Sequence, residues 1–127
     1  MSISLNRTVP ILRIFSVDKA KEFYVDYLGF ALDWGHSYEA NFPEYLQVSR
    51  DGVVLHLSEH HGDGTPGAAL MIQMAGIDAL HEELQAKKYR FARPGIEATS
   101  WGARQVKITD PFGNRLMFTE FPPAEKP

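Results

Sequence analysis

Hydrophobic and polar positions along the chain change period in a repeating order. Residues 9–15, Val-Pro-Ile-Leu-Arg-Ile-Phe, have the apolar, β-branched character of a strand. Beyond Ser16-Val17-Asp18 the apolar positions move to Ala20, Phe23, Tyr24, Tyr27 and Leu28, the i, i+3, i+4, i+7, i+8 stripe of an amphipathic helix. Asp18 or Ser16 can cap that helix, and Gly29 can end it in a left-handed conformation. A strand is predicted near Phe30–Trp34, followed by a hairpin of Tyr45–Arg50 and Val53–Ser58 around Asp51-Gly52.

The second half of the chain repeats this order. Ala69–Met74 reads as a strand, and Gly76-Ile77-Asp78 opens a helix with Ile77, Leu80, His81 and Leu84 on one face. Lys87 and Lys88 fall in its last turn, where the macrodipole favours cations. A strand is predicted at Tyr89–Ala92, then Arg104–Thr109 and Arg115–Glu120 around the turn Asp110-Pro111-Phe112-Gly113-Asn114. The pattern predicts an α+β fold of two tandem βαβββ modules, spanning 9–61 and 68–121, in a single domain with a disordered tail at 122–127. Gly62–Gly67 has linker composition between them. A sheet covered by one helix leaves its other face open, and two such curved sheets facing one another enclose a cleft.

Composition narrows the chemistry. The 127 residues hold no Cys, which removes disulfides, Cys-based zinc sites, iron–sulfur clusters and thiol nucleophiles. Thirteen Lys plus Arg against 16 Asp plus Glu, with no basic run, argues against nucleic acid. Apolar runs are far shorter than the ~20 residues of a membrane span, and Met1–Asn6 lacks a secretory pattern, so the expected location is cytoplasmic. None of the serines at 2, 4, 16, 37, 49, 58 and 100 lies in a Gly-x-Ser-x-Gly setting, and no phosphate-binding glycine loop leads from a strand into a helix. No catalytic residue is assigned.

The run from Val9 to Phe30 resembles the opening module of the vicinal oxygen chelate superfamily, which includes glyoxalase I, extradiol dioxygenases and bleomycin resistance proteins. Trp101-Gly102 and Asp110-Pro111-x-Gly113-Asn114 resemble the ending of its second module. Val9-Pro10, Asp33-Trp34, Gly76-Ile77-Asp78-Ala79-Leu80 and Trp101-Gly102 are most similar to bleomycin resistance proteins. Metal-dependent members carry His, Glu or Gln at one inward position on each of four strands. The resemblance puts those positions near Val9, His56, Ala68 and Met117, where only His56 suits the usual metals. No metal site and no cofactor is therefore expected. His60-His61 reads as a polar lead into the glycine-rich loop, because adjacent strand residues diverge, and His81 as a packed or half-exposed helix residue.

What remains is recognition. The segment 33–45 holds Asp33, Trp34, Tyr38, Phe42 and Tyr45, rings for stacking with carboxylates for a cation. The resemblance implies a drug cleft between two subunits: Trp34 and Trp101 match aromatic positions of that cleft, and Met71 replaces a third. With His56 these make the expected ligand-binding set. Both tryptophans can equally be core or interface anchors, and Phe112 a packing ring. The resemblance also implies a homodimer, with Pro10 as the bend from which an N-terminal arm crosses to the partner.

The leading reading is a metal-free, dimeric protein that confers antibiotic resistance by drug binding, sequestering a bleomycin-type drug or flat cationic aromatic metabolite. The alternative is a metal-dependent lyase, isomerase or extradiol dioxygenase of the same superfamily. A third reading is a scaffold whose cleft serves another protein or metabolite.

Overall fold

A computed structural model of the chain describes residues 2–36 and 43–123. In chain order the elements are β1 (Ile11–Arg13), α1 (Val17–Ala20) continued by a π-helical stretch (Lys21–Tyr27), β2 (Ala31–His36), β3 (Tyr45–Arg50) and β4 (Val53–Ser58). The second set is β5 (Ala69–Gln73), α2 (Ile77–Lys87), β6 (Ile96–Ala98), β7 (Arg104–Thr109) and β8 (Arg115–Glu120). They form two four-stranded mixed sheets with the same order, β1-β4-β3-β2 and β5-β8-β7-β6. In each, the first strand runs parallel to the last and the other pairs are antiparallel. The α+β class and the repeated strand–helix–three-strand unit are as the pattern predicts. No helix among the described residues is long and apolar enough to cross a membrane.

The predicted stripe of the first helix is the one that is buried: Ala20, Phe23, Tyr24, Tyr27 and Leu28 are all at or below 2% exposure. Each large apolar side chain so buried contributes roughly 1.5–3 kcal/mol. Ser16, rather than Asp18, is the cap, accepting from the Lys19 amide at 3.2 Å. The helix widens after Ala20, with the Leu28 amide reaching back to the Phe23 carbonyl at 2.9 Å, and stops at Gly29 with φ of 74°. Leu46, Val48, Leu55 and Leu57 from the first sheet meet Ile72, Leu80, Val106, Leu116 and Phe118 from the second unit in one core.

A buried polar hub joins the two units. The Asp110 carboxylate accepts from the Tyr24 hydroxyl at 2.6 Å and from the Phe112 and Asn114 amides at 2.8 Å each. Asn114 then donates through Nδ2 to the Arg13 carbonyl at 2.9 Å and accepts from the Ala68 amide at 3.2 Å. The Asp-Pro-x-Gly-Asn turn thereby ties α1, β1 and the linker to β7–β8. Arg50 adds a bidentate pair with Glu83 of α2 at 2.8 and 2.9 Å.

Two predicted elements differ. The opening strand is confined to Ile11–Arg13 instead of 9–15, because only those residues pair with β4. Tyr89–Ala92 is a turn and not a strand. Lys88 takes φ of 52° after α2, and Tyr89 stacks on Tyr27 at 4.5 Å, so side-chain packing holds this stretch. Pro94 has no N–H to give a ladder, and pairing with β7 starts at Ile96.

Candidate functional site

The face of the first sheet turned away from its helix carries the clearest constellation. Leu46 and Val48 of β3 and Leu55 and Leu57 of β4 point into the core, which turns Tyr45, Gln47, Ser49 and His56 to the other side. The ladder aligns Trp34, Gln47, His56 and Ile11 in one row across four strands. Between Leu32↔Val48 and Trp34↔Gln47 the register shifts, and Asp33 is the extra residue of a β-bulge. The bulge brings both Asp33 and Trp34 to Gln47, on the edge strand.

Rings dominate this platform. Trp34 and Tyr45 lie nearly parallel, 12° between planes with centroids 6.0 Å apart. His56 stands edge-on to both, at 5.3 Å from Trp34 and 5.0 Å from Tyr45. Hydrogen bonds run through the same residues: Tyr45 hydroxyl to His56 Nδ1 at 2.7 Å, His56 Nε2 to Gln47 Oε1 at 2.9 Å, and Gln47 Nε2 to Asp33 at 3.0 Å. Asp33 is held below the usual carboxylate range by hydrogen bonds from Gln47 and Ser49. Burial, and then the positive charge of Arg7, pushes the His56 imidazole down. Burial raises the Tyr45 phenol, and the Asp63 carboxylate adds to that. Asp63 itself accepts from Ser58 at 2.9 Å. The platform is thus a set of neutral rings flanked by two carboxylates.

It is also open. Trp34 is 43% exposed although it is packed on two rings. Of the expected site residues, the structure brings together Asp33, Trp34, Tyr45 and His56; Tyr38 and Phe42 lie outside the described residues. Met71 sits on the corresponding face of the second sheet, opposite Met117 and near Lys107, which pairs with Glu97 at 3.3 Å. Trp101 is in the β6–β7 loop against Phe121, at 5.4 Å, and is 51% exposed. Phe112 is half-buried against Phe15, as a packing ring. Gln47, Ser49 and Asp63 were missed in the sequence. The alternation Tyr45-x-Gln47-x-Ser49 carries the signal for the first two, whereas Asp63 sits inside the linker and has none.

The sequence profile described as "Glyoxalase superfamily protein" matches residues 1–124. The chain belongs to the glyoxalase superfamily. No curated protein sequence matches it. Among solved structures it is similar to the bleomycin-binding protein of Streptomyces verticillus complexed with copper(II)-bleomycin, at 26% identity, TM-score 0.68, covering 95% of this chain and 100% of that one. A bleomycin-binding protein complexed with bleomycin shares 17% identity, with TM-score 0.70 and coverage of 93% and 100%. A glyoxalase-related enzyme from Clostridium phytofermentans shares 21%, with TM-score 0.71 and coverage of 94% and 98%.

The metal implied by this superfamily's enzymes does not fit the residues present. Both His56 nitrogens are engaged by Tyr45 and Gln47, and its ladder partner is Ile11. In the second sheet the register sets Met71, not Ala68, opposite Met117. Ala68 precedes β5, where its amide and carbonyl bond to Asn114 and Arg115. Thioethers and alkyl groups are poor ligands for hard or borderline divalent ions. Among the described residues, no group of three or more His, Cys, Asp or Glu could hold a metal ion. After β4 the His60 amide donates to the Ser58 hydroxyl at 3.0 Å, and His61 is exposed. His81 of this glyoxalase-superfamily chain is half-buried and bonded to Gln85 at 2.9 Å.

Proposed function

We propose that this chain is a cytoplasmic, metal-free binding protein that sequesters a flat, cationic aromatic ligand, a bleomycin-type drug or a metabolite of similar shape. The observation that carries the reading is the Trp34–Tyr45–His56 platform with Asp33 and Asp63 at its margins. Parallel rings supply stacking area, and the carboxylates attract a cation without any bond being made or broken in the ligand. Similarity to proteins bound to bleomycin supports the choice of probe.

A second copy supplies the missing wall. Trp34, Met71 and Trp101 are each more than two-fifths exposed in one chain. The arm before β1 leaves Ile3 91% and Leu5 93% exposed, side chains that gain from burial on a neighbour. In this reading Met71 and Trp101 of one protomer close over the platform of its partner, and the arm crosses from Pro10. Deleting residues 2–8 then gives monomers on size exclusion. A dimer of unchanged mass after that deletion counts against arm exchange.

Titration with metal-free bleomycin, followed by tryptophan fluorescence, tests the function, since the chain holds only two tryptophans. Saturable quenching at low micromolar or tighter, lost in Trp34→Ala, is expected. No response, together with stoichiometric Ni, Zn, Mn or Fe in the purified protein and a chelator-sensitive lyase, isomerase or dioxygenase activity, overturns the reading.

A further inference from the structure

The hydrogen bonds across the first sheet form a chain with only one consistent set of directions. A carboxylate ionised at neutral pH only accepts, so the contact between Asp33 and Gln47 fixes the Gln47 amide with its nitrogen toward Asp33. That turns the Gln47 oxygen to His56 Nε2, at 2.9 Å, and an amide oxygen also only accepts. The proton of the neutral imidazole is therefore on Nε2. Nδ1 is left with a lone pair, and the Tyr45 hydroxyl at 2.7 Å donates to it. The phenol oxygen keeps its own lone pairs for a ligand.

We infer that Asp33 is a positioning residue: through Gln47 and His56 it sets the imidazole tautomer and points the Tyr45 hydroxyl away from a ligand, so that Tyr45 meets the ligand as a hydrogen-bond acceptor. Its bulge lets Asp33 share Gln47 with Trp34, because a ladder continued regularly from Leu32↔Val48 would set Asp33 alone opposite Gln47 and turn Trp34 to the other face. The chain also locks ring geometry. Tyr45 and His56 are held at 77° to one another, and Tyr45 stays parallel to Trp34. A flat ligand on this platform is selected for N–H groups at its edge, as in an amino-heteroaromatic ring or an amidinium. An edge carrying only carbonyl oxygens would meet a lone pair. The choice of ligand class rests on the binding reading above, whereas the proton directions do not. They are tested on the free protein.

The measurement is 15N NMR of the His56 imidazole in the ligand-free protein near neutral pH. The expected spectrum shows a protonated, pyrrole-type Nε2 and an unprotonated, pyridine-type Nδ1. Asp33→Ala releases the Gln47 amide, and a second tautomer protonated on Nδ1 should appear. Asp33→Asn, whose amide can donate to Gln47 as well as accept from it, no longer fixes the Gln47 amide and should also show the second tautomer. Gln47→Glu, which accepts from Nε2 without help from residue 33, should make the Asp33→Ala change silent. A wild-type spectrum with the proton on Nδ1 overturns the inference outright. So does an Asp33→Ala spectrum indistinguishable from wild type. A role for Asp33 in edge-strand stability alone would shift the melting temperature but leave the tautomer unchanged. If the tautomer behaves as expected and bleomycin still fails to bind, the positioning role stands and the binding reading falls.

Discussion

The two sheets have one topology and two different open faces. In the first, the row across the strands is Trp34, Gln47, His56 and Ile11, with Asp33 added by a bulge. In the second, the corresponding ladder positions are Lys107 on β7, Met117 on β8 and Met71 on β5. The first face is held by a run of hydrogen bonds, and its rings have fixed mutual angles. The second presents two thioethers, which change shape easily, and a lysine tied to Glu97. The same strand order thus carries a hydrogen-bonded surface of rings and a compliant one of thioethers. The core side of both sheets is alike, filled with Leu, Ile, Val and Phe. Divergence sits on the side that the fold leaves free.

The largest expected effect comes from breaking what the two faces share. Asp110→Ala leaves the Tyr24 hydroxyl, two backbone amides and the Asn114 side chain without their common acceptor in a buried site. Unsatisfied buried groups cost about 1–3 kcal/mol each, partly relieved by relaxation, so a loss of roughly 3 kcal/mol or more is expected. Urea unfolding checks this, and both faces should fail together. A variant with wild-type stability would show that the hub does not unite the units.

Next in size is the contrast between the faces themselves. Trp34→Ala should weaken bleomycin binding by at least ~2 kcal/mol, about 30-fold, because it removes the large ring that packs on both Tyr45 and His56. Met71→Ala should cost only ~0.3–1.5 kcal/mol, since a thioether contact with an aromatic ligand is worth that much and the neighbouring Met117 can fill in. Calorimetric titration of both variants measures the difference. An equal or inverted ranking would place the binding energy on the second sheet.

The fold was far more legible in the sequence than the site. Helix periodicity, the Asp51-Gly52 hairpin and the strand alternation are local signals that tertiary packing reinforces, as in the buried stripe from Ala20 to Leu28. The strand expected at Tyr89–Ala92 failed because Tyr27 captures the Tyr89 ring and Pro94 delays the ladder, contacts that join residues far apart in the chain. The aromatic residues of the platform were visible as a cluster in 33–45. Their hydrogen-bonding partners were not, because Gln47 becomes important only once the bulge lets Asp33 and Trp34 share it and the ladder sets His56 opposite. Asp63 approaches Tyr45 from the linker, a placement that follows from the fold and from no local pattern.

Acid should separate the faces by the smallest margin. The His56 pKa lies below its ordinary value of 6.5, lowered first by burial and then by Arg7, so the imidazole is neutral at pH 7. Its surroundings are Tyr45 and Gln47 on β3, Trp34 and Asp33 on β2, Arg7 on the arm and Asp63 on the linker. As pH falls below 6.5 the unfolded chain takes up this proton before the folded one does. Stability contributed by His56 is therefore present above that pH and is lost as pH drops through the lower, folded pKa. Binding follows the same sign. Protonated Nδ1 no longer accepts from Tyr45, the phenol turns, and a positive charge stands under a cationic ligand. Bleomycin affinity should thus be level from pH about 8 to about 7 and decline toward about 5, by a factor on the order of ten or less. His56→Gln should flatten the acid limb that remains after the drug's own titration is subtracted, whereas Met71→Ala should leave it in place. An acid limb of equal depth in wild type and His56→Gln would assign it to the flanking carboxylates and take His56 out of the recognition surface.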